Sequence, residues 1–576
     1  MDNSILSDSA IAIATNRYFL DPQEDWHGLS HRVGGEVARA ENGSANLYRE
    51  KFAEIIYNLE FLPGGRILRN TGRPRGSLFN CYVLPVGDSR EEIGQWLKDS
   101  LILWGEGGGV GCNLSYLRPR GATIKGVGGN SSGPVSFLEA SDAVASTIES
   151  GGSRRAAALA CMNVGHPDIM EFIDAKLTHG KLSHYNISVA VTEDFLTAVE
   201  ADKEWEFKFA QQSYGKIQAR EIWDKIIDNM IKHAEPGLIH WDNLKSNNSY
   251  YFDPILSTNP CGEVPLSAYG VCDLGSIVLP KFVSANGQTQ RARLREVIYL
   301  AVRFLDNIID INKYVLNNIS VNAFNGRRIG LGVMGLAEYL FAKGVTYGSE
   351  RAVEETETIM KFIRNTAYKA SMELAEEKGA FPKFDSVQFG KAHFVRTLPG
   401  KLRMAIKDKG IRNVSCLAMA PTGTISLLPE VTSGIEPLFR KAYVRSDQLG
   451  DRMYVHPLYK EAILSGNKSP EWLVDTNDLK PEDHFEMQSI VQKFTDGAVS
   501  KTVNMPMKST SSQLSRLTLE YVHDLKGVTV YVDGSREGQI LNTVSVKEVR
   551  DYLKSDAAGT AAGEETIQCA TGACEI

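Results

Sequence analysis

Eight cysteines are spread through the 576 residues, and five of them are placed for redox work. Cys261 stands in Asn259-Pro260-Cys261-Gly262-Glu263, an amide and a carboxylate two residues to either side and Pro254, Pro260 and Pro265 close by. Cys272 follows, Cys81 lies far upstream, and the sequence ends in Cys569-Ala-Thr-Gly-Ala-Cys574-Glu-Ile576. A thiol can be a nucleophile, a metal ligand, a disulfide partner or a radical carrier. A nucleophilic Cys261 would want a histidine, and none lies near it in sequence. In an extended loop alternate residues face one side, so Asn259, Cys261 and Glu263 are expected to converge on one small polar ligand. A lone cysteine is most often a small buried hydrophobe, but the flanking polar groups and prolines favour function here. Cys569 and Cys574 read as a dithiol shuttle, with an uninvolved tail as the bland alternative.

Other chemistry is less well supported. No Cys-x-x-Cys occurs to accompany the eleven histidines, so no metal site is expected. Asp25-Trp-His27-Gly-Leu-Ser30 begins a cobalamin-mutase signature, Asp-x-His-x-x-Gly, and fails at Ser30. Pro421-Thr422-Gly423-Thr424-Ile425-Ser426 follows a strand-like run; its freed amides and three hydroxyls could cradle an anion. The same string alone is more often a simple Ser/Thr turn or cap. The run Gly105 to Gly111 fails dinucleotide spacing at Val110. Gly126 to Gly133, and Gly151-Gly152-Ser153-Arg154-Arg155, read as mobile ligand loops. The paired arginines suit a phosphate or a base edge, or simply water.

The elements that must hold these groups look globular. Hydrophobic content is 43% and charged content 23%, ordinary for a packed protein, and a net charge of −7 implies no polyanion surface. No apolar run approaches the roughly 20 residues a membrane span needs. The start, Met-Asp-Asn-Ser-Ile-Leu, is not a signal peptide. A soluble cytoplasmic protein that keeps its thiols reduced is expected. Glu296 to Leu316 places Val297, Leu300, Ala301, Phe304, Ile308 and Ile311 on one helical face. Val353 to Lys378 reads as a second helix, ended by Gly379. Strands are expected at Asn80–Val86, Asn186–Val191, Val414–Ala420 and Val528–Val532. Such alternation predicts one large α/β body over 51–545, after a helical segment over 1–50. Small residues such as Ala557-Ala558-Gly559 predict a flexible redox-active tail over 546–576.

In combination these residues resemble a known family, the class II, adenosylcobalamin-dependent ribonucleotide reductases. The likeness runs from about Phe61 to Glu537. It rests on Phe61-Leu-Pro-Gly-Gly-Arg-Ile-Leu68, Leu78-Phe-Asn-Cys-Tyr-Val83, Gly133-Pro-Val-Ser-Phe137, Gly152-Ser-Arg-Arg155 and His166-Pro-Asp-Ile169. It continues through Asn259-Pro-Cys-Gly-Glu263, Arg328-Ile-Gly-Leu-Gly-Val-Met-Gly335, Ala420-Pro-Thr-Gly-Thr-Ile-Ser426, Gly434-Ile-Glu-Pro437, Lys501-Thr-Val-Asn504 and Tyr531-Val-Asp-Gly-Ser-Arg536. The resemblance implies a ten-stranded α/β barrel with Cys261 at the tip of an internal finger loop. Cys261 would become a thiyl radical that removes the ribose 3′-hydrogen. Glu263 would act as base on the 3′-hydroxyl, Asn259 would bind the substrate hydroxyls, and Cys81 with Cys272 would supply two electrons and close a disulfide. Cys569 and Cys574 would re-reduce that disulfide, themselves reloaded by a thioredoxin-like donor. Thr422, Gly423, Thr424 and Ser426 match the family's substrate-phosphate turn. Asp88 and Ser89 match the site for a dNTP or ATP effector, with Gly128–Ser132 and Gly152–Ala158, including Ser153, Arg154 and Arg155, as the relaying loops. A homodimer is implied. No domain of about a hundred residues precedes the body, so no overall-activity control of that kind is expected.

The radical source separates three readings. Class I chains relay a radical through two adjacent tyrosines, whereas Thr529-Val530-Tyr531-Val532 has only one. The Arg-x-x-Gly-Tyr of class III is missing. A cobalamin-dependent reductase is therefore favoured over a class I subunit awaiting a metal-bearing partner, and over a silent nucleotide-binding regulator. The choice of diphosphate or triphosphate stays open, and Cys112, Cys161 and Cys416 read as buried thiols.

Overall fold

The computed structural model describes residues 5–124, 128–150, 154–178, 180–447, 450–533 and 541–556. Its centre is a ten-stranded sheet. In chain order the strands are β1 (Phe61–Pro63), β2 (Cys81–Val83), β3 (Gly109–Asn113), β4 (Ala158–Asn163) and β5 (Tyr185–Val191). There follow β6 (Gly237–His240), β7 (Val271–Val278), β8 (Ile329–Met334), β9 (Thr502–Met505) and β10 (Gly527–Val532). Strands β2 to β6 are parallel neighbours in sequence order. β6 meets β10 antiparallel, and β10 pairs with β9 in parallel. On the other flank β2 meets β7 antiparallel, and β7 pairs with β8 in parallel and with β1 antiparallel. Two isolated parallel bridges, Leu331 to Leu417 and Met419 to Val499, lead on from β8 toward β9.

Parallel neighbours need long crossovers, and helices supply them. Arg90–Gly105 links β2 to β3, Pro134–Ala145 lies between β3 and β4, and Arg291–Ile311 lies between β7 and β8. With helices outside, strands lose water on both faces; β3, β7 and β8 are buried at every residue.

Three of the four expected strands fall on β2, β5 and β10, although β2 is shorter than Asn80–Val86. The fourth, Val414–Ala420, forms no ladder. The backbone N–H groups of Cys416 and Leu417 donate to the Asp496 carboxylate at 2.8 Å each. A buried side chain thus takes donors that a neighbouring strand would have used.

The first expected helix runs from Arg291 to Ile311 rather than to Leu316. Asn312 turns extended there, and its Oδ1 accepts a hydrogen bond from the Leu78 N–H at 2.8 Å. The second begins at Glu350, because the Ser349 hydroxyl caps it by accepting from Ala352 N. It stops as expected at Gly379, whose φ of +84° suits a residue without Cβ.

Asp306 ties the first of these helices to the neighbouring loops. Its carboxylate accepts from Arg327 Nε at 2.8 Å, Arg412 Nε at 3.0 Å and Asn413 Nδ2 at 3.0 Å. Burial alone would push this carboxyl up, but the two guanidiniums outweigh it and hold its pKa below the ordinary value.

Residues 1–50 are largely helical where described, and they share the main core through Trp26, Val33 and Val37. The helix Ala45–Tyr57 crosses residue 50, with Phe52 edge-on to Phe304 at 5.2 Å. The stretch expected as a tail from 546 begins with a helix, Val546–Asp556, whose Val549 and Leu553 pack with Ala442. Cys569 and Cys574 lie outside the described residues. No helix among the described residues is long and apolar enough to cross a membrane.

Candidate active site

Cys261 lies in a hairpin built from two short antiparallel strands, Ser257–Thr258 and Pro265–Leu266. The intervening residues are not the extended loop expected from sequence. Gly262 N–H donates to Asn259 O at 3.0 Å, and Gly262 has φ +82°. The chain therefore makes a tight turn at a residue free of the Cβ penalty. Alternation along the chain is lost, and Asn259 and Glu263 meet directly, Nδ2 to Oε2 at 2.8 Å. Asn259 Oδ1 accepts from Val264 N at 2.9 Å, which fixes the orientation of the amide.

That amide reaches a thiol. Asn259 Nδ2 lies 3.2 Å from Cys81 Sγ, and Cys81 Sγ lies 3.9 Å from Glu263 Oε1. Cys81 on β2 is the direct register partner of Cys272 on β7, and both are thiols. Val83, Val264, Leu266, Leu274, Ala418 and Ala420 pack around the pair as an apolar jacket. A close approach holds the hairpin against β3: a Cβ on Gly111 would sit 1.8 Å from Thr258 O.

Burial dominates the electrostatics here. It pushes Glu263 up to about 7, against the partly offsetting Asn259 amide. Burial also pushes both Cys81 and Cys272 well above the ordinary thiol value, with the Glu263 charge adding to each. At neutral pH the pair is protonated, suited to giving hydrogen and electrons together rather than to thiolate attack.

Cys261 is half-buried and lines a cavity of about 90 Å³ whose wall includes Asn186, Ser188, Lys526 and Thr529. Neither Asn259, Glu263, Cys81 nor Cys272 lines it. Asn186 Nδ2 donates to Pro260 O at 3.2 Å, tying the hairpin to β5. The buried Lys526 donates to Asp496 O at 2.8 Å and Gly497 O at 2.7 Å. Burial lowers it to about 7, partly offset by Asp496. Sequence reading missed Asn186 and Lys526, since neither stands in a stretch rich in chemistry-bearing residues.

The other expected site residues fall as follows. Ala420, which leads into the Thr422-Gly423-Thr424-Ile425-Ser426 turn, belongs to the jacket of Cys81 and Cys272. Thr422, Thr424 and Ser426 are buried. The Thr422 hydroxyl accepts from Gly434 N at 2.8 Å, and Ser426 Oγ is 3.1 Å from Ser433 Oγ. The following helical piece, Ile425–Leu427, is a single 3₁₀ turn. Asp88 binds Arg118, accepting from its N at 2.9 Å and its Nε at 2.9 Å. Ser89 caps the helix Arg90–Gly105. Arg118 O in turn accepts from Ser131 Oγ at 3.4 Å, joining Asp88 to the loop at Gly128–Ser132. Arg154 and Arg155 pair with Ser150 and Glu149 in a short antiparallel ladder; Gly152 and Ser153 lie outside the described residues. Cys112, Cys161 and Cys416 are buried thiols whose pKa values burial raises.

Comparison with known proteins gives the same picture. A family model described as "Ribonucleotide reductase, barrel domain" matches residues 79–531. A "Vitamin B12-dependent ribonucleoside-diphosphate reductase" of Mycobacterium tuberculosis (strain CDC 1551 / Oshkosh) is 37% identical, over 98% of this chain and 84% of its own length. The protein of that name from Thermoplasma acidophilum is also 37% identical, over 92% of this chain and 72% of its own. A "Ribonucleoside-diphosphate reductase subunit alpha" of Chlamydia trachomatis is 27% identical, over 69% of this chain and 44% of its own. With that family model spanning most of its length, and B12-dependent relatives aligned nearly end to end, the chain belongs to the vitamin B12-dependent ribonucleotide reductases.

Proposed function

We propose that the chain reduces ribonucleotides, with diphosphates as the first substrates to try, to 2′-deoxyribonucleotides by radical chemistry begun at Cys261. The observation that carries this reading is the hydrogen-bonded set of Asn259, Glu263 and Cys81, with Cys272 opposite Cys81, behind the turn that holds Cys261. Bridges at 331/417 and 419/499 support a sheet closed as a ten-stranded barrel, with the 257–266 hairpin as its internal finger. In domain terms this body spans 51–545, the 1–50 segment leans on it, and 546–576 carries the shuttle.

Each residue then has a task. Cys261 loses its S–H hydrogen atom and, as a thiyl, takes the 3′-hydrogen of the ribose. Glu263 accepts the 3′-hydroxyl proton, and Asn259 orients the sugar hydroxyls. The 2′-oxygen leaves as water while Cys81 and Cys272 together give two electrons and two protons and become a disulfide. Cys261 returns a hydrogen atom to C3′ and regains the oxidant, so one deoxynucleotide, one water and one disulfide balance one ribonucleotide and two thiols. The apolar jacket keeps water from the Cys81 and Cys272 thiols that supply the electrons.

The cavity beside Cys261 fits a role for adenosylcobalamin. Its hydroxyl- and amide-bearing wall at Asn186, Ser188 and Thr529 suits ribose hydroxyls and a base edge. A corrin is larger than this space. When bound, the coenzyme supplies the one-electron oxidant by homolysis of its cobalt–carbon bond.

On this reading Thr422, Gly423, Thr424 and Ser426 hold the substrate phosphates. Asp88 and Ser89 bind a dNTP or ATP effector, and the loops at 128–132 and 152–158 pass its identity to the substrate site. Cys569 and Cys574, reloaded by a thioredoxin-like donor, reopen the disulfide. The working unit is a cytoplasmic homodimer.

The test is direct. Purified protein is incubated with a ribonucleoside diphosphate, a deoxynucleotide effector, dithiothreitol and adenosylcobalamin, without other proteins. Deoxynucleotide is expected, and Cys261→Ser should abolish it. Cys569→Ser should keep turnover with dithiothreitol and lose it with thioredoxin. Product appearing only after a metal-bearing radical subunit is added would overturn the cobalamin reading.

A further inference from the structure

Three residues far apart in the chain meet at one place outside the active site: Glu193, His240 and His523. Glu193 opens the helix Glu193–Glu200, His240 ends β6, and His523 lies in the 3₁₀ turn Val522–Asp524 just before β10. Glu193 Oε2 is 3.4 Å from His240 Nε2 and 3.2 Å from His523 Nδ1. The three ligand atoms lie within 4.8 Å of one another. In a tetrahedral zinc site with bonds of about 2.0–2.1 Å, neighbouring ligand atoms stand about 3.3–3.5 Å apart. The Glu193–His240 edge already has that length and the Glu193–His523 edge is about 0.1 Å shorter. His523 is 46% exposed, so its ring is free to swing and close the third.

A salt bridge between Glu193 and a protonated His523 would explain one contact but not His240. That ring is 6% exposed, its Nδ1 has no partner, and its Nε2 meets only the Glu193 carboxylate at 3.4 Å, outside good hydrogen-bond geometry. Buried polar atoms are rarely left so, because stranding them is costly. An ion bonded to Nε2 would resolve the defect at that nitrogen. The surroundings are also braced. Asp242 Oδ2 accepts from Glu193 N at 2.8 Å, and Asn243 Nδ2 donates to His523 O at 3.1 Å and Leu525 O at 2.7 Å. These bonds fix the backbone that carries Glu193 and His523, while the His523 ring stays movable.

We propose that Glu193, His240 and His523 bind a divalent transition metal of the zinc type, with water in the fourth position. Two imidazoles and a carboxylate suit that class of ion. The ion would fasten the 193–200 helix and the 522–524 turn to the end of β6. His240 N already donates to Lys526 O at 3.1 Å, and Lys526 lines the cavity beside Cys261. The clip would therefore stiffen that wall of the cavity.

The full-length chain, free of cobalamin and stripped with chelator, is titrated with Co²⁺ and followed by visible absorption, then challenged with Zn²⁺. One equivalent of Co²⁺ should give ligand-field bands of a tetrahedral site without thiolate charge transfer, and Zn²⁺ should displace it. Glu193→Gln and His523→Ala alter exposed side chains and should fold, and each should weaken binding about tenfold or more. Zn²⁺ should raise the melting temperature of the wild type and not of these variants. A Cys569→Ser/Cys574→Ser chain should bind as the wild type does. Absence of the bands, wild-type affinity in both ligand variants, or loss of the bands in the cysteine variant would each overturn the proposal.

Discussion

Cys81 and Cys272 are direct register partners on antiparallel strands, each buried and each a thiol. Paired residues in such a ladder have Cα atoms about 4.5–5.5 Å apart, inside the range a disulfide spans. The bond can close with little strand movement. Pre-reduced Cys569→Ser/Cys574→Ser protein, which lacks the shuttle dithiol, given substrate, effector and coenzyme but no reductant should make at most one product per active site and lose two thiols. Peptide mapping should find them joined as Cys81–Cys272. Cys272→Ser should make no such bond, and a disulfide mapped elsewhere would contradict the assignment.

To act as the proposed base Glu263 must be ionised, and burial holds it up to about 7. Single-turnover rates of pre-reduced protein should therefore rise with pH through about 7. The Asn259 amide favours the charged carboxylate. Asn259→Ala should move that acid limb to higher pH as well as slow the reaction. A limb that stays in place would show that another group sets it.

Gly111→Ala should damage catalysis more than folding. The new Cβ would fall 1.8 Å from Thr258 O, so the hairpin carrying Cys261 has to shift away from β3. Displacements of about 1 Å cost on the order of a hundredfold in rate. Turnover and melting temperature measured on the same preparation check this; a folded variant with wild-type rate would refute it.

Asp306→Ala should destabilise the protein by roughly 3–5 kcal/mol, because Arg327 and Arg412 lose a buried counter-charge. The sign of the pH dependence follows from a folded pKa below the unfolded one, about 3.9. The carboxylate's contribution is present above that unfolded value and is lost as pH falls through the folded one. Urea midpoints should separate wild type and variant equally above about pH 5, and converge only below about pH 4.

What the sequence made legible was local or motif-borne. Helix ends marked by Gly379, strands β5 and β10, and the identities of Asn259, Cys261 and Glu263 could be read from pattern and resemblance. The turn at Gly262 could not, because an extended and a folded five-residue stretch share one composition. Val414–Ala420 reads as a strand, yet it pairs only through single bridges at Leu417 and Met419, because the side chain of Asp496, far along the chain, takes the N–H groups of Cys416 and Leu417. Asn186 and Lys526 came forward only when the hairpin was seen beside β5 and β10. Glu193, His240 and His523 have no spacing to detect, since tertiary structure alone makes them neighbours.

The turn at Gly262 partitions the centre. Cys261 looks onto a first compartment, the cavity at Asn186 and Thr529, which the acid, the amide and the paired sulfurs do not line. A molecule that plugged the first compartment alone would block ignition and leave the electron store intact. Its occupancy could then be counted by the dithiol still available to an oxidant, so initiation and reduction can be inhibited, and assayed, independently.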